Sequence, residues 1–161
     1  MDSVNQLLED WRRVRPDLDP EPVAVVGRLS RLGMLVTRRA DQWLGPLGLT
    51  WESFSLIVTL RRAGEPFQLR PSALLQDSLL TSGAMTNRID RVETMGLVTR
   101  LPDANDRRGV IVQLTPQGRE LADRAIAVHF AQLDALLGVL EQDERAVLAS
   151  LLSKLLGNLE A

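Results

Sequence analysis

One stretch restricts the fold more than any other. In residues 81–115 a polar helical pattern runs into two strand-like segments separated by turn residues. Thr81 to Met95 has helical periodicity, and Gly96 follows where a helix end favours positive φ. Leu97–Leu101 and Val110–Leu114 have the length and β-branched or apolar composition of strands. Between them, Pro102-Asp103-Ala104-Asn105-Asp106-Arg107-Arg108-Gly109 reads as a charged hairpin tip. At 100° per residue Met85, Ile89 and Val92 share a core-facing stripe, while Gly83, Asn87, Asp90, Arg91 and Thr94 lie opposite. That face has the chemistry for a DNA major groove: Asn for adenine, Arg for guanine or phosphate. Thr81 and Ser82 are placed to cap the helix and touch phosphate together. Arg88 flanks the apolar stripe, so it either points inward along the protein or pairs with Asp90 or Glu93.

The flanking segments place this element in a mainly α chain. Val4, Leu7, Leu8 and Trp11 form one stripe of a helix over residues 3–14, with Ser3 as a candidate N-cap. Pro16, Pro20 and Pro22 break the pattern. A longer helix is expected from Val23 to Leu44, stopped by Gly45-Pro46-Leu47-Gly48. Thr50 can cap a third helix reaching about Arg62. Pro71–Leu75 is a short helix, and Gln76–Leu80 a turn before the polar helix, which together make a helix-turn-helix. The hairpin turns this into a winged helix. Thr115-Pro116 opens a helix through Leu140, broken near Gly138, and Val147 to Leu159 lie on a last leucine-rich helix. Single-domain length is ample for a core. The terminal helices, 3–45 and 116–161, carry more apolar surface than the 50–115 lobe can cover. An intertwined helical homodimer explains the excess. It would set two polar helices roughly 34–36 Å apart, as a pseudo-palindromic duplex requires.

Charge enters here. The net charge of −2 is unusual for a DNA binder. Its distribution is not: residues 61–119 hold nine arginines against six acids, whereas 120–161 hold three bases against seven. Cysteine is absent, which excludes thiol sensing, disulfides and zinc-thiolate sites. No metal-ligand spacing, glycine-rich phosphate loop or nucleophile pair is present, so no catalytic residue, metal or cofactor is expected and the chain is not read as an enzyme. No secretion signal or membrane-length apolar run is seen, and a cytoplasmic location is expected. His129, the single histidine, sits in a leucine stripe and is expected in the dimer core; Trp43 and Trp51 read as packing.

At Ser82–Arg91, Gly96-Leu97-Val98 and Asp106-Arg107-Arg108-Gly109-Val110 through Leu114-Thr115-Pro116-Gln117-Gly118, the chain resembles the MarR family of transcriptional regulators. The resemblance covers essentially the whole chain. It implies a homodimeric winged-helix repressor of double-stranded DNA, controlled by a small molecule. It implies that Arg108 enters the minor groove, braced by Asp106, where a narrow A·T groove concentrates negative potential. The expected DNA-binding residues are Ser72, Thr81, Ser82, Gly83, Thr86, Asn87, Arg91, Asp106, Arg107 and Arg108. The N-terminal helix with Trp11 is similar to that of the urate-responsive branch, whose ligand site uses a Trp, an Asp, an Asn and an Arg. Trp11 and Arg88 match; Ser55 stands at the Asp position and Ala63 at the Asn position. The implied ligand-binding residues are Trp11, Ser55 and Arg88, for a urate-like or phenolic anion; apart from the resemblance, Trp11 on its apolar stripe reads as core before it reads as ligand wall. The competing readings are an architectural DNA-binding protein without effector, and a dimeric interaction module that has lost DNA binding.

Overall fold

The computed structural model describes residues 2–160 apart from 77, 79 and 105, with residues 107 and 108 described by their backbone alone. These residues divide into two compact units, Met1–Trp51 and Glu52–Ala161.

The first unit is a helical pair, α1 (Ser3–Val14) and α2 (Glu21–Leu44), closed by a 3₁₀ turn over Gly45–Leu47. Asp2, not Ser3, is the N-cap of α1: its Oδ1 accepts from the N–H groups of Val4 and Asn5 at 2.9 and 3.1 Å. The carboxylate of Asp2 also accepts from Arg28 on α2 at 2.9 Å, which ties the helix start to its neighbour. These hydrogen bonds hold the Asp2 carboxyl below its ordinary pKa, against the opposing effect of burial. Val4 packs where Gly27 leaves room on α2, and Leu8 is buried beside it, whereas Leu7 and Trp11 of the same stripe are exposed. Helix α2 starts two residues earlier than its apolar pattern, because Pro22 sits in the first turn, where no backbone donor is needed.

The second unit contains α3 (Trp51–Arg62, whose first residue belongs to the first unit), β1 (Gln68–Leu69), α4 (Pro71–Gln76), α5 (Ser82–Thr94), β2 (Val98–Asp103), β3 (Asp106–Leu114), α6 (Pro116–Leu136) and α7 (Gln142–Leu159). Its core gathers Phe54, Leu56, Ile57 and Leu60 of α3, Leu74 of α4, Met85, Ile89 and Val92 of α5, and Val112 and Leu114 of β3. This is a winged helix-turn-helix, mainly α, as expected. The predicted Gln76–Leu80 turn falls partly outside the described residues.

The wing differs from its expected form in two ways. The sheet has three antiparallel strands, in the order β1-β3-β2, not two. Gln68 and Leu69 pair with Gln113 and Val112, a two-residue strand too short to show periodicity. The hairpin is also longer: pairing continues through Pro102 opposite Val110 to Asp103 opposite Asp106, with a register shift at the last step. Pro102, Asp103 and Asp106 of the expected tip are therefore paired strand residues, and residues 107–109 fall at the register shift. Pro102 fits because β2 is an edge strand and needs no inward donor there. Gly109 is required by packing, since a Cβ there would lie 2.9 Å from the Cβ atoms of both Asp103 and Asp106.

Thr115 caps α6, accepting from the Gly118 N–H at 3.0 Å. The helix ends at Leu136, before Gly138. None of the residues of α7 is buried, and Val147, Leu151, Leu155, Leu156 and Leu159 are among its exposed apolar side chains.

Candidate nucleic-acid interface

Helix α5 is fixed from both ends. Thr81 accepts from the Ala84 N–H at 3.3 Å, and Gly96 takes the left-handed backbone (φ 73°) that terminates the last turn. Met85, Ile89 and Val92 are buried beneath it. That burial turns Ser82, Gly83, Thr86, Asn87, Asp90, Arg91 and Thr94 to solvent. Thr86 and Thr94 donate their hydroxyls to the carbonyls of Ser82 and Asp90, at 3.0 and 2.9 Å, so both side chains are held against the helix wall. Ser72 is exposed on α4. Asp106 is exposed at the start of β3; Asn105 and the side chains of Arg107 and Arg108 lie outside the described residues.

The acids of α5 are neutralised by the wing. Arg100 on β2 pairs with both Asp90 and Glu93, and its backbone N–H donates to Glu93 at 3.0 Å. Partial burial opposes the charge on Arg100, but the hydrogen bonds to the two carboxylates outweigh it and raise its pKa. Arg88 does not pair with Asp90 or Glu93, as one sequence reading allowed. Spacings of two and five residues do not bring side chains together on a helix. The wing has a second anchor, which the sequence did not reveal: the buried carboxylate of Asp103 accepts from Arg70 Nε at 2.5 Å. That hydrogen bond, then the charge of Asp103, raises the pKa of Arg70. Arg91 has its own partner, Glu52 of α3, whose carboxylate accepts from its Nη1 at 3.0 Å.

Arg88 is half-buried and has no hydrogen-bond or ion-pair partner among the described residues. It lines a cavity of about 30 Å³ between α3, α4 and α5, together with Ser55, Leu56, Thr59, Leu74, Ser78 and Met85. Two of the three expected ligand residues, Ser55 and Arg88, are thus brought together. Trp11 belongs to the first unit and is 45% exposed. A wider open groove, about 560 Å³, lies beside β3 and the start of α6. Its lining Arg119 is committed, stacking on Phe67 at 4.8 Å; Arg61 also stacks on Phe67, at 4.9 Å, and pairs with the lining Asp123 at 2.7 Å. Phe67 itself has a left-handed backbone (φ 58°), which an aromatic residue rarely adopts. His129 stacks on Phe54 within its own unit, at 4.9 Å between ring centroids, and is half-buried there.

The MarR family profile matches residues 49–110. Over 152 residues, covering 94% of this chain and 92% of the relative, the sequence is 34% identical to the HTH-type transcriptional regulator PecS of Dickeya dadantii (strain 3937). The chain belongs to the MarR family. It is also 34% identical to the multiple antibiotic resistance protein MarR of Salmonella typhimurium, over 80% of this chain and 90% of that protein. Among solved structures, a mutant MarR from E. coli complexed with operator DNA superposes with a TM-score of 0.74, at 30% identity, covering 91% of this chain and 97% of that one. Among the described residues of this MarR-family chain, no helix is long and apolar enough to cross a membrane and no acid or histidine cluster could hold a metal.

Proposed function

We propose that this MarR-family protein is a homodimeric, ligand-responsive transcriptional regulator, a repressor released from a pseudo-palindromic operator by a small aromatic or anionic effector. The observation that carries the reading is the division of α5: a buried Met85-Ile89-Val92 face opposite a solvent face bearing Asn87 and Arg91. A related structure of the same architecture holds operator DNA. Ser72, Thr81, Ser82 and Gly83 are assigned to phosphate and close backbone approach, Thr86, Asn87 and Arg91 to the major groove, and Asp106, Arg107 and Arg108 to the wing contact. The uncovered leucines of α7 are assigned to the second subunit.

The effector is assigned to Arg88 and Ser55. A half-buried guanidinium without a partner attracts an anion. A cavity of about 30 Å³ holds roughly one water, whereas ligand pockets run to hundreds of cubic ångströms. A ring-sized effector therefore has to part α5 from α3 and α4. Movement of α5 is movement of the reading face, so effector and DNA favour different positions of one helix. The absence of Asp at Ser55 favours a simple anion over urate, because no carboxylate is left there to accept from ring N–H groups.

Footprinting on the DNA flanking the protein's own gene tests the whole reading. A discrete two-fold footprint that urate or a phenolate weakens is the expected result. Graded coverage of any duplex would instead identify an architectural DNA-binding protein.

A further inference from the structure

Glu52 is the second residue of α3, and its carboxylate reaches across to Arg91 of α5, 39 positions away. Stability gives little reason for the pair. Its side chains are 53% and 61% exposed, and ion pairs in that setting contribute little to a fold. Its position is more informative. Arg91 lies one turn beyond Asn87 on the solvent face of α5. The acids native to that helix, Asp90 and Glu93, are already held by Arg100. Glu52 therefore brings a carboxylate from a different helix to the arginine expected to meet DNA.

We infer that Glu52 is a specificity-determining residue, which directs Arg91 to a base edge and away from the phosphate backbone. This rests on the reading above, in which α5 occupies the major groove. A guanidinium presents five N–H donors in a planar fork. Glu52 engages Nη1, which leaves donors for the paired O6 and N7 acceptors of guanine. Guanine's edge is neutral, so it tolerates a carboxylate on the far side of the guanidinium. A phosphate is anionic, and placing it on Arg91 sets two negative groups around one cation. Glu52 thus subtracts from sequence-blind attraction while costing the guanine contact little. It also restrains a long side chain that would otherwise be ordered only on binding.

The test is selection from a random duplex library with wild type, Glu52→Gln, Arg91→Ala and the double variant, followed by titration on selected and scrambled duplexes. Wild type is expected to enrich a motif containing a guanine whose selection Arg91→Ala abolishes. Glu52→Gln should relax that same position, leave the other positions selected, and raise affinity for scrambled duplex by about three- to tenfold at low salt. Its salt dependence should steepen by about one phosphate contact. In the Arg91→Ala background, Glu52→Gln should change neither quantity. An unrelaxed guanine in Glu52→Gln would overturn the inference. So would an equal gain in the Arg91→Ala background, which marks a general charge effect, or a motif that Arg91→Ala leaves intact. A wild type that enriches no motif would overturn the DNA-reading assignment itself.

Discussion

Gly118 lies so close to the Leu97 carbonyl that a β-carbon on it would stand 1.9 Å from the carbonyl oxygen. The same corner is stitched by hydrogen bonds. The Thr115 N–H donates to Leu97 at 3.0 Å, the Thr115 hydroxyl donates to the Gly96 carbonyl at 2.7 Å, and the Gly118 N–H donates to Thr115 at 3.0 Å. The Leu-Thr-x-x-Gly run is thus the joint that fastens α6 to the end of α5 and the start of the wing. Gly118→Ala meets backbone, not a movable side chain. It is expected to destabilise the protein by roughly 1–3 kcal/mol, towards the upper end, by overpacking. Gln117→Ala, exposed and adjacent, should stay within about 0.5 kcal/mol of wild type. Urea denaturation of the two variants distinguishes the close approach from a general sensitivity of the helix start.

Asp103 gives a second expectation, about order in the wing. Its carboxylate is buried, and Arg70 reaches it from the β1–α4 junction. Removing the guanidinium by Arg70→Ala weakens the satisfaction of a buried charge and unpins the outer part of the hairpin. Amide exchange across residues 98–114 should quicken, while α6 and α7 keep wild-type rates. Equal exchange in the wing would mean that the strand ladder alone holds it.

How much of this was legible follows from the range of each signal. The two faces of α5 could be read because their period lies within thirteen consecutive residues. The cap at Thr115 and the left-handed Gly96 were legible for the same local reason. Strand β1 was not, because two residues show no alternation; it exists through β3, more than forty positions onward. Turn-type residues misled the reading of the hairpin tip. Asp103 pairs with Asp106 across the hairpin, and Gly109 is there because a Cβ would collide with both, not to bend a loop. The ion pairs of the candidate site, Arg70 with Asp103 and Arg91 with Glu52, join residues 33 and 39 apart. Composition contains no trace of such distances. The stacking of two arginines on Phe67 was likewise invisible before the elements were assembled.

The lone histidine predicts a pH dependence. Burial against Phe54 disfavours the imidazolium and lowers the pKa of His129 below its ordinary value, about 6.5. The unfolded chain therefore binds more protons than the folded one between the two values, and stability rises with pH across that window. Above the unfolded value the effect is absent; below the folded value the whole penalty is present. Lowering the pH from 6.5 into the range below it is expected to lower the urea midpoint, and His129→Phe should flatten the slope. An unchanged slope in that variant would assign the dependence to other groups.

The exposed leucines of α7 make the dimer testable without touching the reading face. Leu151 and Leu155 lie one turn apart and are 57% and 45% exposed in the single chain. Placing charge there with Leu151→Glu and Leu155→Glu should weaken self-association at least about 100-fold, roughly 3 kcal/mol. The lobe's own core does not include them, so near-native helical content should persist. Sedimentation that still shows a dimer at micromolar concentration would remove α7 from the interface.

Arg88 separates an effector site from a merely structural arginine. It lies on α5 beside the core stripe, faces a cavity lined by Ser55, Thr59 and Ser78, and has no partner among the described residues. A ligand that binds the folded protein raises its melting temperature, by an amount equivalent to about 2.7 kcal/mol at one hundred times its Kd. Screening urate and a series of phenolates should find an anion that does so. Arg88→Gln should abolish the shift, because it removes the charge while keeping most of the volume, and should leave operator affinity within about threefold, since Arg88 is assigned no base contact. A shift that survives Arg88→Gln would place the effector elsewhere. Loss of operator binding in the same variant, with no effector present, would mean that Arg88 supports the reading helix itself.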